Sequence, residues 1–439
     1  MRDIIDYIIR FLIGTEQAGR LSPCIGYTSD KRLFDRYLIV FTPSGFFNEG
    51  VYGTQASIPT LPLQEIEGVP LLFGSPKIEW VGDTLLIHAD LIASTYFLLT
   101  RYEEIVRRTE RDDHGRFPGK LSLPFRAGFI ERPIVEEYGV LVRQWLRMTT
   151  GSNAIHEPEP QLQKLWLTHD VDAPLFCQSL RHVARETLKG MGLTEAWKLY
   201  LRPEHEDPYY TFPWLLEQGQ IVRDAWGEER CQTLFFLKGG GNAPQDKPYY
   251  PLNLKLLHRL SRFCSESGGS IGLHSSYSAG LQPNKIIAEK RHLERATGFV
   301  VTYNRHHYLA CREPEDLNTV EKAGFSDDFT MGYADVAGFR LGTCRPVHWI
   351  NPITKRISDM QLHPLACMDA TLGEAKYMGL NEQEAVNYVL RLAQNASRHG
   401  GELVLLWHND RVSEFSSAKG LDYRRVFQRI LSEIVEQRL

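Results

Sequence analysis

Apolar residues recur along this chain in two periods. Near the start Ile4, Ile5, Ile8, Ile9, Phe11 and Leu12 are interrupted by Asp3, Asp6 and Arg10, the signature of an amphipathic helix. Strand-like pieces follow at Tyr37–Thr42 and Thr84–His88, among turns rich in Gly, Pro and Ser. Leu91, Ile92, Tyr96, Phe97 and Leu98 then predict a helix over Asp90–Arg107, Arg111–Phe125 reads as a polar loop, and a second helix is expected over Ile134–Met148. From Leu165 onward strand and helix alternate. Strand-like runs occupy Leu165–His169, Gln232–Leu237, Ser270–His274, Val300–Asn304, Phe325–Met331 and Leu403–Trp407. Helical stretches separate or follow them at Leu180–Leu201, Leu252–Cys264, Asn284–Thr297, Glu315–Lys322, Glu382–Arg398 and Tyr423–Gln437. Such alternation predicts an α/β domain with a parallel sheet and helical crossovers, open or closed into a barrel, whose site lies at the carboxyl ends of the strands. The shift to Thr, Gly, Ser, Asn, Glu and Pro after Thr149 reads as an exposed linker over 151–163, between an N-terminal α/β accessory domain (1–150) and the alternating domain (164–439).

Composition narrows the class. A chain of 439 residues that is 43% hydrophobic is long enough for two or three domains with cores of their own. A net charge of −4, with no long run of Lys and Arg, argues against a general attraction to nucleic acid or to an anionic membrane surface. No stretch is apolar enough to span a bilayer, and the charged residues of the first helix set it apart from a signal peptide. Cys24, Cys177, Cys231, Cys264, Cys311, Cys344 and Cys367 are odd in number and never spaced Cys-X-X-Cys, which points away from a disulfide framework or zinc knuckle and toward a reducing, cytoplasmic setting.

Chemistry gathers at the strand ends. Leu165–Asp172 reads Leu-Trp-Leu-Thr-His-Asp-Val-Asp, and a side-chain period of two puts Thr168, Asp170 and Asp172 on one face. Two neighbouring carboxylates repel, so a cation or a shared proton is needed, and a divalent metal is the simplest remedy. Later strands end in His274-Ser275-Ser276, in Arg305-His306-His307-Tyr308, in Asp327-Asp328 and in Trp407-His408-Asn409.

The order Thr-His-Asp-Val-Asp, Gly-Leu-His-Ser-Ser, Arg-His-His-Tyr, a strand Asp and Leu-Leu-Trp-His resembles the five motifs of NodB-type polysaccharide deacetylases, over about Lys164 to the C-terminus. Asp90–Glu137 is similar to an uncharacterised N-terminal domain that accompanies such domains in bacterial proteins. The resemblance implies a distorted (β/α) barrel and a divalent metal, zinc first and nickel or cobalt as alternatives. The implied reaction is removal of acetyl groups from an N-acetylated sugar in bacterial surface-glycan metabolism. By position Asp170 matches the catalytic base, Asp172 and His274 metal ligands, Arg305 the residue orienting the base, Tyr308 the backbone amide at the oxyanion, and His408 the catalytic acid behind Leu405. These roles cover what amide hydrolysis requires: an activated water, a stabilised oxyanion and a proton for the departing amine.

This chain departs from the family pattern in three places. Val171 separates the two aspartates, leaving open how Asp170 and Asp172 divide their roles. Ser278 stands where the second metal-binding His is expected, so a third ligand must come from His306 or His307, which point to opposite faces of a strand, or from His169. The fourth-motif Asp is Asp328, with Asp327 and Asp335 as alternatives. Ser278 also leaves room for a non-catalytic glycan-binding protein, and O-acetyl groups are a rival substrate. Gly239-Gly240-Gly241 lacks the Lys that completes a phosphate loop and reads as a flexible loop. Arg340 and Arg345 either bind an anionic sugar or pair with internal carboxylates. Trp349 and Trp407 belong to the core by default and otherwise stack on a sugar ring, and Cys344 reads as a small buried residue.

Overall fold

The computed structural model describes every residue except 15–16, 153, 177–179, 250–253 and 414–419. The first part is built on a four-stranded sheet in the order Ile25–Tyr27, Ile39–Phe41, Thr84–Ala89, Gly74–Val81, with only the last strand antiparallel to its neighbour. The amphipathic first helix, Arg2–Ile13, buries Ile4, Ile8, Ile9, Leu12 and Ile13 and packs against the helix Ile134–Thr150. The stretch expected as one helix over Asp90–Arg107 is two, Leu91–Leu99 and Tyr102–Val106. Asp90 caps the first by accepting from the Ala93 amide at 2.9 Å. Between them Arg101 adopts φ 56°, which lets its buried guanidinium pair with Glu104 and donate to the Cys311 carbonyl at 3.0 Å. A long-range pairing thus overrides local periodicity.

The second part holds nine strands: β1 (Lys164–Val171), β2 (Cys231–Lys238), β3 (Gly269–Ser275), β4 (Tyr303–His306), β5 (Asp327–Asp328), β6 (Val347–Asn351), β7 (Arg356–Leu362), β8 (Leu365–Met368) and β9 (Glu402–Leu406). They form one curled sheet in the order β6-β7-β5-β4-β3-β2-β1-β9-β8. Every neighbouring pair is parallel except β6 and β7. The edge strands β6 and β8 do not pair with each other, so the sheet is a half-barrel rather than a closed one. Its central strands are buried on both faces, which is why β1 and β9 read as nearly continuous apolar runs.

Three differences from the sequence reading affect the site. Strands β6, β7 and β8 fall where no strand was expected. The run expected over Phe325–Met331 pairs only at Asp327 and Asp328, because Asp328 turns its carboxylate onto the Thr330 amide at 2.9 Å and the chain leaves the sheet. The stretch Leu180–Leu201 is a hairpin of two helices, Leu180–Leu188 and Leu193–Leu201, broken at Gly190, whose φ of 103° no helix admits.

The segment read as an exposed linker is anchored: Ile155 and Leu162 are buried, and Glu157 pairs with Arg143 and Arg147. The N-terminal part is tied to the sheet by the ion pairs Arg340–Glu104 (2.7 Å), Arg345–Glu136 (3.0 Å) and Arg111–Glu313 (3.1 Å). Among the described residues the cysteines are free thiols, and Cys177 lies outside those residues. No helix of the described residues is long and apolar enough to cross a membrane.

Candidate active site

The strand ends of β1, β3, β4, β8 and β9 converge on one cleft. Along β1 the alternation sends Thr168 and Asp170 to one side and His169 to the other. Arg305 of β4 meets the first two, its Nη1 donating to Thr168 Oγ1 at 2.8 Å and to Asp170 Oδ1 at 3.1 Å. The guanidinium is fully buried, donates from Nε to the Phe329 carbonyl at 3.0 Å and lies 4.5 Å from the centre of the Phe236 ring. A cation so confined can hold the Asp170 carboxylate in one orientation.

Beyond Asp170, one oxygen of Asp172 and one ring nitrogen each of His274 and His307 lie within 4.8 Å of one another. His274 Nε2 is 3.4 Å and His307 Nε2 3.1 Å from Asp172 Oδ1, and His274 Nε2 is also 3.5 Å from Asp170 Oδ2. Each ring is held from behind. His274 Nδ1 sits 3.1 Å from the Arg305 carbonyl, which only accepts, so Nδ1 donates to it and Nε2 faces forward. His307 Nδ1 sits 3.3 Å from Asp246 Oδ1. A carboxylate or carbonyl behind each imidazole is the support that metal-binding histidines use. Apart from these contacts with one another, Asp172 Oδ1 and His274 Nε2 are buried without a hydrogen-bond partner, although burying an unsatisfied polar atom is unfavourable. One carboxylate and two imidazoles with open positions match a catalytic zinc set, and nickel or cobalt would also suit it. The residues present therefore fit a divalent cation.

Asp246, behind His307, accepts from the Tyr277 amide (2.7 Å), the Ala243 amide (3.0 Å) and Ser278 Oγ (2.7 Å). Burial opposes its charge, but His307, Ser278 and the two amides outweigh that and hold the carboxyl well below the usual carboxylate range. Ser278, the position that lacks a histidine, thus braces the residue that supports His307. The glycines read as a flexible loop are closely packed: a Cβ on Gly241, at φ 109°, would lie 2.6 Å from the Asp246 carboxyl carbon, and one on Gly239 would lie 2.2 Å from the Glu289 carbonyl oxygen.

His408 enters from the end of β9. Its Nδ1 lies 2.8 Å from Asp369 Oδ1, its amide donates to Asp369 Oδ2 at 2.8 Å, and its Nε2 faces Asp172 Oδ2 at 3.9 Å. Burial disfavours the imidazolium, but Asp369, with Asp172 and Asp170, overrides it and raises the pKa to about 10. His408 is therefore a proton carrier at neutral pH.

The cleft over these groups measures about 250 Å³ and is lined by Asp170, Asp172, His307, Tyr308, His408 and Arg411 among others. The N-terminal part reaches it through Arg116, whose Nη1 donates to the Tyr308 carbonyl at 2.8 Å. Tyr308 and the following Leu309 have φ of 60° and 53°, a left-handed pair of non-glycine residues of the kind found where the surroundings fix an unfavourable backbone.

The structure does not bring every sequence candidate here. His306 points away from His307, its Nδ1 3.4 Å from Thr330 Oγ1, and burial pushes its pKa down to about 3. His169 donates from Nδ1 to the Trp407 carbonyl at 2.9 Å with its ring beside Phe235, on the far side of β1. Asp328 is enclosed by Asn304 and Thr330 beneath the cleft, Asp327 pairs with His363, and Asp335 accepts from the Gly119 amide. Arg340 is a buried partner of Glu104 rather than a sugar ligand, and Arg345 pairs with Glu136, so the internal-pairing reading holds for both. Trp407 is a core residue donating from Nε1 to the Tyr423 carbonyl at 3.0 Å, and Trp349 and Cys344 are buried as well.

Sequence reasoning missed Asp369, Asp246, Arg116 and Arg411. Asp369 carried a usable signal, since it follows the short apolar run Leu365-Ala366-Cys367-Met368 as Asp172 follows its own strand.

Residues 4–150 match the model of a family of unknown function, DUF7033. No curated protein matches the chain. Among solved structures, one described as a "putative polysaccharide deacetylase from Mycobacterium smegmatis" aligns with a TM-score of 0.40 and 18% identity, covering 64% of this chain and 86% of that one. So distant a likeness carries no weight for function.

Proposed function

We propose that the chain is a divalent-metal-dependent hydrolase that removes the acetyl group from an N-acetylated sugar, with residues 164–439 as the catalytic domain and 1–150 as an accessory domain. The observation that carries this reading is the meeting in one cleft of three metal-ligand atoms, two of them buried with no partner outside the cluster, with an arginine-held carboxylate and an aspartate-held histidine. When bound by Asp172, His274 and His307, a divalent ion would supply Lewis acidity, polarising the acetamide carbonyl and acidifying a water. Asp170, fixed by Arg305, accepts the proton of the attacking water. His408, charged through Asp369, returns a proton to the departing nitrogen, so base and acid are separate groups. A pure binding protein has no need of that division of labour. The sugar and the setting in bacterial surface-glycan metabolism rest on the resemblance of the motif order to NodB-type deacetylases.

Elemental analysis of the purified protein, with acetate release measured from N-acetylated and O-acetylated oligosaccharides, tests the reading. About one zinc, nickel or cobalt ion per chain and release from N-acetyl substrates, abolished in Asp170→Asn, support it. Metal-loaded protein that binds glycans but releases no acetate would overturn it in favour of a non-catalytic glycan-binding protein. Release from O-acetyl substrates alone would reassign it as an esterase.

A further inference from the structure

The helical hairpin Leu180–Leu201 stands out among the described residues. Val183, Ala196 and Leu199 form a small core of their own, with Phe176 and Met191 packed on it, separate from the main core. Yet Leu180 (56%), Leu188 (89%), Leu193 (56%), Trp197 (40%) and Leu201 (71%) are exposed. Steps of four residues put Leu180, Ala184 and Leu188 along one side of the first helix, and Leu193, Trp197 and Leu201 along one side of the second. Apolar stripes this exposed mark a surface that meets something.

Charge decides what the surface meets. Residues 180–202 carry Arg181, Arg185, Lys189, Lys198 and Arg202 against Glu186 and Glu195, a positive segment in a chain whose net charge is −4. Leu and Trp flanked by Arg and Lys on short helices suit the interface of an anionic bilayer, where the rings and methyl groups enter the headgroup boundary and the cations meet phosphate. A second copy of the chain would oppose these cations to themselves across a two-fold axis. The hairpin is also continuous with the active site. Glu186, Lys189 and Met191 line a groove of about 830 Å³, and Glu374, Lys376 and Arg411 line both that groove and the active-site cleft.

We infer that the hairpin seats the protein on an anionic lipid surface and that the groove leads a glycan attached to that surface into the cleft. The second half of this inference rests on the deacetylase reading; the first does not. The test is co-sedimentation of the full chain with phosphatidylglycerol/phosphatidylcholine vesicles and with pure phosphatidylcholine vesicles. It includes the exposed double variants Leu188→Glu/Trp197→Glu and Lys198→Glu/Arg202→Glu. The wild type is expected to sediment with the anionic vesicles. Binding should fall roughly tenfold on the neutral ones and in each variant, with metal content and acetate release from soluble oligosaccharides unchanged. No sedimentation with anionic vesicles, or equal sedimentation of all three proteins, overturns the inference. So does a concentration-dependent dimer that the leucine–tryptophan variant abolishes in the absence of vesicle binding, which would give the surface to a second copy. Vesicle binding without acetate release from any substrate would instead remove the deacetylase reading and leave the lipid surface standing.

Discussion

His408 Nδ1 and Asp369 Oδ1 lie 2.8 Å apart, and this pair, not the strand that bears His408, fixes how the histidine faces the cleft. Asp369 comes from the end of β8, an edge strand, and touches His408 through both carboxylate oxygens. It supplies the negative charge that keeps the imidazole protonated. Asp369→Asn should therefore bring the pKa of His408 down from about 10 toward the ordinary histidine value. For the proposed deacetylase, the alkaline limb of the pH profile for acetate release should move to lower pH, with a loss on the order of 100-fold at neutral pH. Histidine NMR titration reads the shift without reference to activity. An unchanged titration in the variant would show that another charge holds the proton.

His307 and His306 are adjacent, but only His307 faces Asp172 and His274. His307→Ala should abolish the proposed metal binding, while His306→Ala should leave the metal content of folded protein near that of the wild type. Asp246→Asn removes the charge behind His307 and should weaken metal affinity roughly 10–100-fold. Elemental analysis after dialysis against a graded chelator separates the three. Metal retained by His307→Ala would return the third ligand to an open question.

How far this site is legible from sequence depends on how each residue is held. Asp170, Asp172 and Thr168 share a face through the period of one strand, and His274, Arg305 and His408 announce themselves at the ends of apolar runs. His307 was left open against His306 because the strand period stops at His306: Tyr308 and Leu309 turn left-handed, and that turn is imposed by packing and by Arg116. Asp369 and Asp246 were missed for another reason. Their partners lie 39 and 61 residues away, and the strand preceding Asp369 is four residues long. Arg340 was left open between a sugar and an internal carboxylate, and Trp407 between the core and a sugar ring, because residue type suits either role and burial is decided by the sheet around them.

His363 offers a pH dependence remote from the proposed metal ligands. Its ring lies 2.7 Å from Glu402 and 2.9 Å from Asp327 and stacks on Phe329 at 4.3 Å. Burial opposes its charge, but the two carboxylates outweigh it and raise the pKa to about 9. The unfolded chain loses this proton near pH ~6.5, so the folded state alone retains it between there and about 9. Its contribution is complete below ~6.5 and disappears as pH rises through the folded value, with an upper limit of about 3 kcal/mol. Urea unfolding at constant metal concentration should show stability declining over that window. His363→Gln should be less stable at low pH and show a flatter decline. Parallel curves for the two proteins would assign the dependence elsewhere.

Glu104 is the most consequential ion-pair partner between the two parts of the chain. It lies in the N-terminal part, fully buried between Arg101 and Arg340, and Arg340 approaches it with two nitrogens, Nε at 3.0 Å and Nη2 at 2.7 Å. Removing the carboxylate leaves two buried guanidinium groups with one anion fewer than they need, whereas removing Arg340 still leaves Glu104 paired with Arg101. The asymmetry predicts an order. Glu104→Ala should lose roughly 3–5 kcal/mol, because breaking a buried pair strands uncompensated charge. Arg340→Met keeps much of the buried volume and should lose less, despite freeing the Gly332 carbonyl that Arg340 Nη1 now reaches at 2.7 Å. Chemical denaturation measures both, and limited proteolysis of Glu104→Ala reports whether the N-terminal part loosens before the sheet. Equal losses in the two variants would mean that Arg101 does not share the carboxylate, and that Arg340 alone joins Glu104 to the sheet.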